Sequence, residues 1–281
     1  MASTSRVTNL GSLFNNVYEL GKLALEEEVL MPELVTRKNA NTMAPRVLSN
    51  YNQITVGTVA EGSAATPGTQ VKAADGTITP IIAAAFESLT DELMMTDPED
   101  ADRIVALRLA RGMGRYIDES GVGVFSSFTA SAGTAGSALT VNHMAVAVSK
   151  LLAARNIGLP SGVLHPFQWH SVAGQTIGWT ANPIAATASE AFNTIMRQYF
   201  GGIGLGAQWF LSNAMGTGTA VVAAVFHREA IIYDVRTDYE LEMERQPSTR
   251  SIDFHAVHRF KFGIDRNEAG VKITANASAP S

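Results

Sequence analysis

Apolar residues recur at spacings of three and four along the stretch from Thr96 to Phe128. This spacing places them on one face of a helix and places the arginines on the opposite face. Asp97 is suited to cap the first turn, and Pro98 is suited to the first helical position. We therefore predict a spine helix of about 28 residues, ~42 Å long, around which the fold is organised. The predicted core positions of this helix are Leu107, Ala110, Ile117 and Val124.

The last third of the chain has a period of two, which is typical of half-buried strands. Tyr239 to Arg245 alternates apolar residues with acids, so Glu240, Glu242 and Glu244 share one face. Ser251 to Ile264 alternates in the same way. We predict two long strands, separated at Gln246 to Ser248, that pack on the apolar face of the helix. A final turn and short strand are predicted over Asn267 to Ala275.

The region before the spine helix predicts a long two-stranded arm. A helix over Asn15 to Val35, broken at Pro32, and a polar connection over Arg37 to Asn41 lead into it. The first predicted strand covers Arg46 to Thr58, and the second covers Ile81 to Ser88. Between them, Ala60 to Thr79 is predicted to be an exposed loop with turns at Pro67-Gly68 and Asp75-Gly76. Val71 and Ile78 allow strand on either side of the second turn.

An isolated hairpin is only marginally stable in water, so such an arm needs another surface to lie on. A neighbouring subunit is the simplest candidate. We therefore expect inter-subunit contacts at Glu61, Pro67, Lys72 and Asp75.

Short helices and strands alternate between the spine helix and the long strands. Thr129 to Ser137 is predicted to be a loop of small residues, and His143 to Ala154 a helix. The unbroken apolar run from Thr219 to Phe226 predicts a strand buried on both faces. The alternation predicts a compact α/β domain, inserted in the chain between the spine helix and the two long strands.

Composition excludes several functional classes. The chain has 281 residues, of which 46% are hydrophobic and 17% are charged, so it is expected to be ordered. The net charge of -5 argues against a protein that grips nucleic acid through its phosphates. The absence of cysteine excludes disulfides and thiolate metal sites. No signal peptide or membrane-spanning run is evident, so no membrane partner is expected.

The candidate catalytic motifs are weak. The glycine-rich stretch from Gly202 to Ala207 superficially resembles a dinucleotide loop, but a strand rather than a helix is predicted after it. His165 and His170 lack zinc-ligand spacing, and His255 and His258 are expected on opposite faces of a strand. Glu240, Glu242 and Glu244 could gather a cation, although a solvated acidic ladder is the better interpretation. We therefore predict no catalytic residues, no metal and no cofactor.

The order of parts resembles that of the major capsid proteins of tailed bacteriophages. The resemblance rests on Thr55 to Leu93, the helix from Asp100 to Phe125, Val163 to Pro166, and Phe226 to Ile273. It implies an α+β fold of the Hong Kong-97 type, with peripheral and axial domains. The implied divisions are an N-terminal arm (1–45), an extended loop (46–90), the peripheral domain (91–130 and 233–265), an inserted axial domain (131–232), and a C-terminal strand and tail (266–281).

The resemblance also implies function and partners. The chain would assemble with itself into pentamers and hexamers of an icosahedral shell that encloses double-stranded DNA, in the bacterial cytoplasm and then in the virion. Separate scaffolding, portal and cement or decoration proteins would be its other partners. One alternative is the shell of an encapsulin-like nanocompartment that holds a cargo enzyme. A second alternative is a soluble α/β enzyme with Glu240, Glu242, His255 and His258 near its site.

Overall fold

The computed structural model describes residues 15, 17–25, 29–51, 72–96, 101–154, 158–177 and 203–279. The helices in these ranges are α1 (17–25), α2 (Met31–Leu34), α3 (Asp91–Thr96), α4 (Ala101–Gly123), α5 (Val141–Ala153) and α6 (Pro166–Ile177). The strands are β1 (Thr36–Asn39), β2 (Arg46–Tyr51), β3 (Lys72–Ile78), β4 (Ile81–Thr90), β5 (Ser131–Ala138), β6 (Ser161–Leu164), β7 (Ile203–Gly204), β8 (Ala207–Leu211), β9 (Val221–Phe226), β10 (Ile231–Gln246), β11 (Ser251–Ile264) and β12 (Gly270–Asn276).

A four-stranded sheet contains the two long strands, in the order β1-β10-β11-β4. β10 and β11 are antiparallel, with irregular pairing between Val235 and Glu240. β4 is antiparallel to β11, and β1 is parallel to β10. In β11, every second side chain from Ile252 to Phe262 is buried, which confirms the predicted alternation.

A six-stranded sheet has the order β5-β12-β9-β6-β8-β7. β9 lies inside this sheet, between β12 and β6, and its last four residues, Ala223 to Phe226, are buried as the apolar run predicts. The buried face of α5, formed by Met144, Ala147, Val148 and Leu151, belongs to the same apolar cluster as Trp209, Ile273 and Val225. This cluster forms the apolar core on the six-stranded sheet.

The apolar face of α4 packs on the four-stranded sheet. Ala110 and Ile117 are buried, whereas Leu107 and Val124 are half-buried. Ile117 shares its cluster with Phe254 and Phe260 of β11. The helix ends at Gly123 and a 3-10 turn follows over Val124–Ser127, so it ends earlier than predicted. Its predicted cap, Asp97, and Pro98 lie outside the described residues.

The N-terminal segment crosses α4 where the helix carries small residues. A Cβ at Gly121 would lie 2.9 Å from Met31 Cβ, and one at Gly114 would lie 3.1 Å from Val29 Cγ2. Asp118, between these glycines, accepts hydrogen bonds from the backbone N–H groups of Leu30 (3.2 Å) and Met31 (2.9 Å). Burial raises the pKa of Asp118 more than these two hydrogen bonds lower it. The segment is therefore held both by close packing and by a buried carboxyl group.

The arm differs from its prediction in two ways. β2 pairs with β3 in a separate two-stranded sheet, whereas the predicted second strand, from Ile81, belongs to the four-stranded sheet as β4. The turn predicted at Asp75-Gly76 is wrong. Leu48 lies opposite Gly76 and Ser49 lies opposite Ala74, so Asp75 is the extra residue of a β-bulge. Gly76, next to the bulge, has a φ of +137°, which residues with a side chain rarely adopt.

Two segments predicted as connections are strands. Arg37 to Asn41 contributes to β1, which pairs with β10, and Thr129 to Ser137 contributes to β5, which pairs with β12. Neither has the alternation or the β-branched content of a strand. Both complete the edge of a sheet whose neighbouring strand is remote in sequence, so their conformation depends on that neighbour.

We expect Ile117→Asp to lower the free energy of unfolding by about 3 kcal/mol or more, because it places a charge in the buried face of α4. Chemical denaturation monitored by circular dichroism would measure the loss. The matched control is Ile104→Asp on the same helix, since Ile104 is 47% exposed and Ile117 only 2%. Equal losses for the two variants would contradict this assignment of the buried face.

We expect Asp118→Ala to cost about 1–3 kcal/mol, because the backbone N–H groups of Leu30 and Met31 would lose their acceptor. Thermal unfolding would measure this against Glu119→Ala, which removes the neighbouring carboxylate, whose side chain is 42% exposed. Its ion pair with Arg115 is worth at most about 1 kcal/mol. A loss from Asp118→Ala no larger than that from Glu119→Ala would show that the carboxyl group does not hold the segment.

Candidate interaction surfaces

His255 and His258 do not form a site together. His258 is buried, and its Nε2 lies 2.6 Å from the hydroxyl oxygen of Tyr233. Burial lowers the pKa of His258, so the neutral ring is favoured. His255 lies on the other face of β11, where its ring packs against that of Phe86 with centroids 4.9 Å apart. The predicted opposite orientation is therefore correct.

His165 has a local structural role. It is 1% exposed, and its Nδ1 accepts a hydrogen bond from the backbone N–H of Phe167 (3.1 Å) at the start of α6. Desolvation lowers the pKa of His165, which suits a neutral acceptor. His170 is exposed one turn further along. Across the described ranges, no group of three His, Asp or Glu side chains is placed to hold a metal ion.

The glycine-rich stretch at 202–207 is a tight hairpin in its described part. β7 pairs antiparallel with β8, and Gly204 lies opposite Ala207. Leu205 and Gly206 form the turn with positive φ angles of 54° and 80°. A strand follows the glycines, so the geometry of a dinucleotide loop is absent from residues 203–211.

The acidic ladder is a solvated strand face. Glu240, Glu242 and Glu244 are exposed, while Tyr239 and Leu241 between them are buried against the core. Within the described ranges, none of the three glutamates forms an ion pair. The ladder lies along the part of β10 beyond its pairing with β1, which ends at Val235.

An exposed apolar strip lies on the opposite edge strand of the same sheet. Ile82 is 61% exposed and Phe86 is 57% exposed, and both alternate with the side chains of β4 that face inward. Phe86 pairs in register with His255, whose neighbour across β10 is Glu242. This solvent-exposed face therefore carries apolar side chains on β4 and carboxylates on β10, with β11 between them.

The arm contacts the rest of the subunit at its root. Ile78, Leu48 and Ile232 form a small buried cluster between the arm and β10. Val47, next to Leu48, is 57% exposed. An open cleft of about 690 Å³ separates the arm from the C-terminal end of α4; Gly76, Ser120 and Lys261 are among the residues that line it.

Only part of the predicted contact set lies in the described structure. Lys72 and Asp75 are in β3. Lys72 lies at the end of the strand pair that is far from the root cluster, and Asp75 lies at the bulge. Glu61 and Pro67 lie outside the described residues. The contacts of all four residues with a neighbour stay predictions.

Sequence reasoning missed an ion cluster at the root of the arm. Asp234 of β10 is fully buried and lies between Arg46 and Arg236, with shortest N–O distances of 2.8 Å and 2.6 Å. The available signal was a charged pair, Asp234 and Arg236, two residues apart inside the apolar run that begins at Ile231. Its partner Arg46 is remote in sequence, so no local pattern could have identified it.

None of the described helices is long and apolar enough to cross a membrane.

Comparison with known proteins identifies the family. The profile described as "Phage capsid protein" matches residues 84–273, which is more than half of the chain. The search of curated protein sequences gives no match.

Solved structures match in fold at low sequence identity. A protein of Mycobacterium phage Che8 superposes with a TM-score of 0.64 at 13% identity, covering 87% of this chain and 90% of the other. The capsid of Cyanophage P-SCSP1u gives a TM-score of 0.63 at 11% identity, covering 89% of each chain. The SrpI encapsulin of Synechococcus elongatus gives 0.60 at 8% identity, again covering 89% of each chain.

These matches confirm the predicted α+β fold of the Hong Kong-97 type. They also confirm the prediction of a major capsid protein, a structural protein of the virion rather than an enzyme. The soluble-enzyme alternative is therefore set aside. The chain belongs to the phage capsid protein family.

Proposed function

We propose that this capsid protein closes its shell through the arm, with pentamers and hexamers as the assembly units and double-stranded DNA as the contents. The observation that carries the proposal is a two-stranded arm whose buried apolar contact with its own subunit, among the residues that the structure describes, lies at the root. Two strands alone are marginal in water, so the arm gains stability when it is laid on another surface. A second copy of the chain is the surface that a shell provides.

The exposed sheet face is the surface that suits this role on the neighbour. Ile82 and Phe86 present apolar area that an incoming chain can bury, and the glutamates of β10, on the far side of β11, supply a polar border. Burial at several such contacts, each above ~1,000 Å², is what stable closed assemblies require. In this assignment Glu61, Pro67, Lys72 and Asp75 belong to the arm side of the contact.

The two sheets support a division into subdomains. We assign 91–130 and 233–265, with α4 and the four-stranded sheet, to the peripheral domain, and 131–232 to the axial domain around the six-stranded sheet. Residues 46–90 form the extended loop, 1–45 the N-terminal arm, and 266–281 the C-terminal strand and tail. β4, at the end of the range assigned to the extended loop, pairs with β11 in the four-stranded sheet. β12, in the C-terminal range, pairs with β9 in the six-stranded sheet.

The encapsulin-like nanocompartment stays the second candidate. The similarity to the SrpI encapsulin over most of both chains favours it. Both functions require a closed shell of many copies, and they differ in what the shell holds. Scaffolding, portal and decoration proteins are further proposed partners of the phage alternative only.

We expect a shortened arm to abolish closed shells without unfolding the subunit. Residues 52–71 would be replaced by a two-residue Asn-Gly turn, since Tyr51 and Lys72 are already paired across the strands. Size-exclusion chromatography and negative-stain electron microscopy would then show subunits or open oligomers where the unmodified chain forms isometric particles. Particles of normal size from the shortened chain would contradict the proposed role of the arm.

We expect particles assembled in cells that carry the phage genes to protect double-stranded DNA from nuclease. The net charge of -5 suits a container wall that does not adsorb its polyanionic contents. Absorbance at 260 and 280 nm and gel analysis of nuclease-treated particles would measure the contents. Particles that hold one stoichiometric cargo protein and no DNA would favour the nanocompartment.

A further inference from the structure

Asp234 joins the root of the arm to the four-stranded sheet through two arginines. Arg46 Nε and Nη2 lie 2.9 Å and 2.8 Å from Asp234 Oδ1. Arg236 Nε and Nη2 lie 2.9 Å and 2.6 Å from Asp234 Oδ2. Each carboxylate oxygen is therefore held by the two N–H groups of one guanidinium. We call these three residues the arm-root clamp.

The clamp acts on the place where the arm begins. Arg46 is the first residue of β2, and it pairs with Ile78, the last residue of β3. Arg236 also donates a hydrogen bond to the carbonyl of Thr42, in the connection between β1 and β2. The clamp thus holds one strand of the arm and the segment that leads into it.

The second strand of the arm, β3, is held by close apolar packing of Ile78. Ile78 is 5% exposed and lies on Gly263 of β11, where a Cβ would come within 2.4 Å of Ile78 Cδ1. Ile232, which pairs with Gly263, completes the contact with Leu48 and Ile78. Only a residue without a side chain at position 263 lets Ile78 sit this close.

These contacts lie on the side of the sheet that faces away from α4. Tyr233 and Val235 belong to the core around the helix, whereas Ile232 and Asp234, which alternate with them, face the arm. The clamp can therefore be altered without opening the main core. Apolar contact at Ile78 has little directional preference, while paired guanidinium and carboxylate groups fix both distance and angle.

We propose that Arg46, Asp234 and Arg236, with Ile78 seated on Gly263, are positioning residues that set the angle at which the arm leaves the subunit, and hence the size of the closed shell. This inference rests on the proposed function of the arm. A small change of angle at the root is magnified along the arm, so neighbouring subunits would meet at a different curvature.

The first experiment compares Asp234→Asn with Asp238→Asn in the full chain. Asp238 lies four residues along the same strand and pairs with Arg37 at the surface, with both side chains well exposed. We expect Asp234→Asn to speed hydrogen exchange at amides of β2 and β3 by about tenfold while those of β9 stay within about twofold. The particles should show an altered or broadened diameter by electron microscopy. Asp238→Asn should change neither measurement.

The conservative second variant guards against a failure to fold. Arg46→Met removes only the partly exposed arginine and leaves Asp234 paired with Arg236. It should produce the same exchange at the arm and the same change of particle diameter. Unchanged exchange at the arm and normal particles from Arg46→Met would overturn the proposal.

A compensating pair tests the contact at the second strand. Gly263→Ala should displace Ile78 and alter particle diameter, and adding Ile78→Ala should restore it, because the shorter side chain makes room for the new Cβ. If particles of the double variant were no closer to the normal diameter than those of Gly263→Ala, the proposed contact between Ile78 and Gly263 would be contradicted. If the unmodified chain forms no shell, the proposed function fails; if all variants form normal shells, only the clamp fails.

Discussion

Burial of the apolar face of α4 is the interaction on which the other parts of the subunit depend. The face covers the inner side of the four-stranded sheet, where Ile117 packs with Phe254 and Phe260. The 3-10 turn that follows α4 reaches the second sheet, since the rings of Phe125 and Phe226 lie 5.4 Å apart. Gly114 and Gly121 let the N-terminal segment cross close to the helix. One helix therefore joins both sheets and the segment that precedes them.

Because α4 occupies one side of the sheet, the opposite side is free for contacts that a single chain does not complete. One end of that side carries the root of the arm, with Asp234 and Ile232 beneath it. The other end carries Ile82 and Phe86 and stays open to solvent. Neighbouring exposed apolar side chains of this kind are typical of an interaction surface. The same sheet thus serves the core on one face and assembly on the other.

The family and the general fold could be inferred from the order of helix, alternating strands and arm, and the comparisons confirm both. The opposite orientations of His255 and His258 could also be predicted, since they follow from strand geometry alone. The arm was only partly predicted. Its second strand was placed at Ile81 to Ser88 because that run is apolar, but apolar content does not specify which neighbour a strand pairs with. β11 is that neighbour, and the weaker segment from Lys72 forms the arm.

Local patterns are sufficient for α4, β9, β11 and the part of β10 from Tyr239 to Arg245, because period and apolar content are properties of neighbouring residues. The earlier part of β10, from Ile231, was not predicted as a strand. Local patterns fail for β1 and β5, whose polar or small residues become strands only because β10 and β12 offer unpaired edges. They fail also for the bulge at Asp75, which depends on the register with Leu48 and Ser49. The arm-root clamp needs residues 46 and 234 together. Pairing across such separations is decided by the folded chain, where geometry rather than sequence distance determines which groups meet.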